Sequence, residues 1–225
     1  MFSEYRGNQM RIGIIHATLN AVQPITDAFK AKDSSIEIVN FVNEELLAHA
    51  NRVGGLDTWG MRNFLRTGMM AGDAKVNGIV IACTIYSPYA DELQQYVDVP
   101  VIAVDNPMIV KAVRSGKKIG ILATTASSGP SAQRKLLKVA KNLNTRVDME
   151  MTIVTEAMTE LKGGNIEKHN ELLRNAAIGL KEKGCGVILL SQITMACAKK
   201  SMEDLGMEIL TSPETGAEEM LRLIK

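Results

Sequence analysis

Residues Gly78–Pro88 read GIVIACTIYSP: a glycine, an apolar run rich in β-branched side chains, then Cys83 and Thr84 in succession. A run of this length with apolar side chains at consecutive positions is a strand buried on both faces, as in a parallel sheet covered by helices. Similar runs recur along the chain. Arg11–His16, Ile36–Phe41, Gly78–Cys83, Val99–Val104, Lys118–Ala123, Val147–Val154, Gly186–Ser191 and Met207–Leu210 read as strands, with helix-length segments between them. Strands alternating with helices predict an α/β fold with parallel sheets flanked by helices. Ligands of such sheets bind outside the carboxyl ends of the strands, so the polar residues just after each strand carry the functional information.

Composition narrows the class of partner. Of 225 residues, 46% are hydrophobic and 23% charged, and the formal net charge is +1. Without a basic excess or a Lys/Arg run there is no electrostatic reason to expect nucleic acid or an anionic membrane, and a small polar or anionic molecule is the expected partner. No apolar stretch approaches the roughly 20 residues of a membrane helix. The start, MFSEYRGNQM, lacks the apolar centre of a signal peptide, which predicts a cytoplasmic protein. Cys83, Cys185 and Cys197 form no CxxC pair and have no clustered histidines near them, so neither a disulfide framework nor a metal site is expected.

The chain also resembles itself. Gly78–Val113 and the segment from Gly186 to Leu221 share an order: glycine, apolar strand, polar turn, helix, strand, short turn with proline, helix. Such a repeat predicts two pseudo-symmetric α/β lobes with the active-site cleft between them. Residues 10–112 with 213–225 are expected to form the first lobe and residues 113–212 the second.

Several strand ends are polar. His16-Ala17-Thr18-Leu19-Asn20 follows the first strand, Asp105-Asn106-Pro107 the fourth, and Thr124-Thr125-Ala126-Ser127-Ser128 the fifth. The last group precedes Pro130, which suits the first turn of a helix, so its hydroxyls either cap that helix or cradle a carboxylate or phosphate. Cys83, between a strand end and an expected helix N-terminus, would feel the positive end of the helix dipole and become a usable thiolate; a packing cysteine is the plainer alternative. His16 is either a titrating group at its strand end or a partner of the turn. Cys185 lies at the wrong end of its strand for chemistry, and Cys197, about one turn into the helix that follows that strand, is a weak candidate. His49 and His169 read as solvated or capping residues, methionines such as Met69-Met70 as core filling, and Gly163-Gly164-Asn165 as a helix stop with a cap for the next helix.

Taken together, the strand ending Ala82-Cys83-Thr84, its counterpart in the second half, the opening IGIIHAT and the strand turn ILATT resemble the aspartate/glutamate/hydantoin racemase superfamily, from about Arg11 to the C-terminus. The resemblance implies two α/β lobes, often a homo-oligomer (a dimer), and no cofactor or metal. It also implies two cysteines that face each other across the cleft and invert a carbon next to a carboxylate, one as base and one as acid. Cys83 matches the first of them, Thr84 its carboxylate-binding neighbour, Thr124 and Thr125 the second-lobe hydroxyls, and His16–Asn20, with Thr18 and Asn20, the first substrate loop. The second cysteine is absent. Gln192 takes its place, or Ser191 if the glycines of the repeat are aligned, with Thr194 nearby as a further binding residue. LLSQITMA resembles a subgroup carrying Ala-Gln and then Ser-Met-Ala here.

Glutamine and serine are not acid–base groups near neutrality, so the second face needs another proton donor, such as His16, Cys197 or water. The expected activity is that of a cofactor-independent racemase or epimerase acting on a small amino-acid-like carboxylate, with Cys83 as acid/base. Its rivals are a single-cysteine decarboxylase or isomerase of the same superfamily and a non-catalytic carboxylate-binding protein.

Overall fold

A computed structural model describes residues 9–225, so the leader reading of MFSEYRGNQM falls, but for Gln9 and Met10, outside the described residues. All eight expected strands form: β1 (Arg11–His16), β2 (Glu37–Val42), β3 (Gly78–Ala82), β4 (Val101–Ala103), β5 (Ile119–Ala123), β6 (Met149–Ile153), β7 (Val187–Leu190) and β8 (Glu208–Thr211). They make two wholly parallel four-stranded sheets, ordered β2-β1-β3-β4 and β6-β5-β7-β8. The second sheet repeats the order of the first, as the internal repeat predicts. Around the first lie α1 (Val22–Lys32), α2 (Glu45–Val53), α3 (Thr58–Asp73) and α4 (Ala90–Gln94), and the second half supplies α5 (Asn106–Arg114), α6 (Ser128–Asn142), α7 (Thr155–Lys162), α8 (Ile166–Glu182) and α9 (Ser212–Leu223).

Two compact units result, one running to Asp105 and taking up Gly216–Lys225, the other Asn106–Thr215. The sequence expectation placed the first crossing after residue 112, but α5 goes with the second unit. Its Met108, Ile109, Ala112 and Val113 are buried with Ile119, Ile121, Val187 and Leu210, and that apolar stripe assigns the helix. On the other face of the same sheet, Leu122, Ile188 and Leu190 pack with Leu173, Ala177 and Leu180 of α8. Gly120 permits that approach: a Cβ there would lie 2.5 Å from Ile188 Cδ1 and 3.0 Å from Leu180 Cδ1.

In the first unit, α3 buries Gly60, Phe64, Thr67, Gly68 and Ala71, the spacing of one helical face. Met69 and Met70 fall off that face and are exposed, so they do not fill the core as expected; Met108, Met195, Met202 and Met220 do. Asp57 caps α3, its Oδ1 accepting the Gly60 N–H at 2.8 Å, and both its oxygens lie 3.0 Å from His49 Nε2. The second unit corrects another reading. His169 is neither solvated nor a cap but wholly buried, with Nδ1 2.7 Å from the Ala157 carbonyl, tying α8 to α7. Asn165 does cap α8, accepting the Lys168 N–H at 3.3 Å after Gly164 turns the chain at φ +81°. Among the described residues no helix is long and apolar enough to cross a membrane.

Candidate active site

At the end of β3 the ladder stops at Ala82, and Cys83 is the first residue of the turn. The reason lies in its carbonyl, which accepts the N–H groups of Tyr86 (3.1 Å) and Ser87 (2.8 Å) and the Ser87 hydroxyl (3.0 Å) instead of a neighbouring strand. Cys83 is buried with Ile15, Ala17, Ile81, Phe64 and Tyr86, while Thr84 beside it is exposed. Tyr86 is wholly buried, and its hydroxyl donates to the Leu46 carbonyl at 3.3 Å. Burial first, then the neighbouring charges of Cys83 and Asp57, pushes its phenol up to about 12, so it stays neutral. The expected helix N-terminus at the thiol is not there. A single 3-10 turn, Ser87–Tyr89, leads into α4, which is five residues long, and so short a helix sums few peptide dipoles.

His16 pairs in register with Ala82, so its ring leaves the sheet on the face opposite Ile15 and Ile81, the neighbours of Cys83. It is wholly buried. Nε2 lies 2.8 Å from Asn40 Oδ1, which accepts only, so Nε2 carries the proton and Nδ1 is left as a buried acceptor with no hydrogen-bond partner. Burial lowers its pKa, with Asn40 opposing the shift more weakly, and the ring is neutral at pH 7. A histidine whose folded pKa lies below its unfolded value of about 6.5 costs nothing above that pH. As pH falls below it, the unfolded chain takes up a proton that the folded chain refuses, and stability falls by at most about 1.4 kcal/mol per pH unit. Urea unfolding at pH 7 and pH 5 is therefore expected to show a smaller acid loss in His16→Gln than in the wild type; equal losses would contradict this placement. Further along the same loop, Thr18 is extended and half-buried, its carbonyl accepting the Ala21 N–H at 3.4 Å, and Asn20 is exposed.

In the second unit the strand pairings decide between Ser191 and Gln192. Gly13 and Gly120 hold the same place in RIGIIHAT and KIGILATT; the first pairs with Ile79, the second with Ile188. Registers therefore align one residue differently from glycines, and the residue that corresponds to Cys83 is Gln192. Ser191 still belongs to the ladder, its N–H donating to the Leu122 carbonyl at 3.0 Å, and its Oγ is shut off from solvent without a hydrogen-bond partner.

Gln192 precedes a 3-10 helix, Ile193–Leu205, and its Oε1 accepts three hydrogen bonds: from the Thr124 N–H (2.8 Å), the Thr124 hydroxyl (2.8 Å) and the Ser128 hydroxyl (3.0 Å). Thr124 is 1% exposed and spends its side chain on this contact. Thr125 caps the start of α6, its Oγ1 accepting the Ser128 N–H at 3.3 Å and donating to Ser128 Oγ at 2.9 Å. From sequence, Ser128 is one of the hydroxyls that either cap this helix or cradle an anion. Its bond to Gln192, 64 residues away, has no signal in the local pattern.

Thr194 is half-buried, and its carbonyl accepts from Cys197 Sγ at 3.4 Å. Cys197 is exposed overall, but desolvation of its sulfur pushes the thiol up; burial does the same to Cys185, inside the core beside α8. Neither is a ready thiolate. The first unit also carries an open groove of about 680 Å³ lined by Leu56, Asp57, Met61, Arg62, Tyr89 and Tyr96, among others. Its size suits a small ligand, yet none of the candidate catalytic or binding residues lines it, and of the residues named from sequence only Met69 does. No three His, Cys, Asp or Glu side chains among the described residues cluster to hold a metal ion.

The family model for Asp/Glu/hydantoin racemases matches residues 12–220. The chain belongs to that family. Solved structures agree in fold. An aspartate racemase homologue from Pyrococcus horikoshii superposes with a TM-score of 0.72 at 15% identity, over 95% of this chain and 98% of its own. The allantoin racemase of Klebsiella pneumoniae gives 0.70 at 18%, over 96% and 87%. A glutamate racemase from Aquifex pyrophilus gives 0.60 at 22%, over 96% and 84%. No curated protein matches the chain in sequence. At these identities the likeness of the solved structures establishes the two-sheet α/β fold.

Proposed function

We propose that this racemase-family chain exchanges a proton at the carbon next to the carboxylate of a small amino-acid-like molecule, without a cofactor, and that Cys83 is the acid/base group. The observation that carries this reading is the position of Cys83 at the end of β3, where a ligand of a parallel sheet meets the chain, with exposed Thr84 beside it. In the proposed step the Cys83 thiolate takes the α-proton, an S–H bond forms, and the C–H electron pair passes into the carboxylate as an enediolate; the reverse returns a proton to carbon. Hydrogen-bond donors near the growing charge lower the barrier, a role suited to Thr84.

A second reading is favoured by one specific feature. Gln192 corresponds to Cys83 in the repeat, and neither it nor its partners Thr124 and Ser128 ionise near neutrality. Such a site fits chemistry on one face only, as in a decarboxylase or isomerase with a single cysteine. Incubation in D₂O with a panel of carboxylates, starting with aspartate, glutamate and malonates and extended to allantoin and hydantoins, tests both readings. Wash-in of deuterium with inversion is the racemase result. Wash-in with full retention, or release of CO₂ with one deuterium left on the product, identifies one-face chemistry. Absence of exchange across the panel would leave carboxylate binding as the function.

A further inference from the structure

The carboxamide of Gln192 has a direction. Thr124 N–H is a donor and nothing else, so the atom 2.8 Å from it must be the amide oxygen, and the usual ambiguity between the two ends of a glutamine is removed. Two hydroxyls, Thr124 Oγ1 and Ser128 Oγ, aim at the same oxygen. The Thr125 hydroxyl donates to Ser128 Oγ at 2.9 Å, and the single Ser128 proton is shared between the Gln192 oxygen (3.0 Å) and the Thr125 carbonyl (3.1 Å). Nε2 is thereby held at the other end of the group, with no hydrogen bond to any described residue, on a half-buried side chain at the carboxyl end of β7. Donors on the carbonyl side of an amide polarise it and make its N–H groups stronger donors. An amide also keeps its two N–H groups at every pH at which the protein is folded.

We infer that Gln192 is a fixed hydrogen-bond donor to the carboxylate of the bound molecule, and that Thr124 and Ser128 are positioning residues that hold its amide in the donating orientation. The inference rests on the reading of the strand ends as the binding site of a small carboxylate, and gives the position equivalent to Cys83 a binding role in place of proton transfer. Without the Ser128 hydroxyl the amide loses one of three restraints; a glutamate at 192 accepts the same three bonds but turns a negative oxygen, not an N–H, toward the ligand.

The test is the side-chain amide signal of Gln192 in ¹H–¹⁵N spectra of the whole chain, identified by its loss in Gln192→Met. Malonate, aspartate, glutamate and acetate are titrated in turn. At least one should shift the pair of N–H signals saturably. Ser128→Ala should weaken that ligand about three- to tenfold, the loss of one modest hydrogen bond. Ser128→Thr should restore most of the affinity, which a merely structural defect would not do. Gln192→Glu should weaken it by at least about tenfold. A wild-type signal unmoved by all four carboxylates overturns the inference whether or not the variants fold, and so does Ser128→Ala binding within about twofold of wild type. An amide that responds while no substrate exchanges deuterium would remove the enzymatic reading and keep the donor; exchange with an unresponsive amide would do the reverse.

Discussion

Cys83→Ala is expected to lower the rate of deuterium exchange at the substrate's α-carbon by about 10²–10⁴-fold, the usual contribution of a positioned acid/base group. Little else should change. Cys83 is 8% exposed, and the change removes one sulfur from a cluster whose other members are large: Ile15, Ile79, Ile81, Phe64 and Tyr86. The turn after β3 is held by the backbone carbonyl of residue 83, which alanine keeps, so the geometry at Thr84 should persist. Unfolding free energy should accordingly fall by only about 1 kcal/mol. The two measurements together separate a catalytic thiol from a packing one. Activity within about tenfold of wild type in a folded Cys83→Ala protein would rule the thiol out as the acid/base group.

Phe64→Ala should have the largest effect on stability, about 3–5 kcal/mol in urea or guanidinium unfolding. Phe64 is wholly buried on α3 and stacks on Tyr86, with ring centroids 4.8 Å apart and planes inclined at 23°. It joins the helix to the cluster that contains Cys83. Removal leaves a void between two parts held by other contacts, and such sites collapse poorly. Phe64→Leu refills most of the volume and should cost less than about 1.5 kcal/mol. Because Tyr86 follows Cys83 by three residues and closes its turn, the alanine variant should also lose exchange activity beyond its loss of folded protein. A cost below about 1 kcal/mol would contradict the packing of α3 described above.

The inner strands were legible because they are compact, largely aliphatic runs, and burial on both faces leaves no alternation to misread; the edge strands β2 and β6 are only half-buried and carry polar residues. The repeat was legible for the same reason. Its register was not: Gly78 and Gly186 look equivalent in sequence, but pairing with β1 and β5 follows the hydrogen-bond ladder, and the ladder matches Cys83 to Gln192. The turn after Cys83 misled in another way. ADELQ does form α4, but Tyr86 and Ser87 spend their N–H groups on the Cys83 carbonyl, so the thiol does not stand at the start of a long helix. His169 and Met70 show the two sides of one limitation: a polar residue can be buried and an apolar one exposed, according to which face of the helix meets the sheet.

Local pattern by itself determined the α/β class, the eight strands, the family resemblance and the placement of Cys83 at a strand end, since all of these depend on residues close in the chain. Tertiary structure alone decided that α5 joins the second unit, that His16 points away from the face of Cys83, and that the Gln192 amide is turned with its oxygen toward Thr124 and Ser128. Each of these is set by partners distant in sequence, through packing or hydrogen bonds that exist only once the sheet has assembled. Local pattern shows no cysteine at the end of β7 to match Cys83; only the assembled sheet gives the glutamine there a direction.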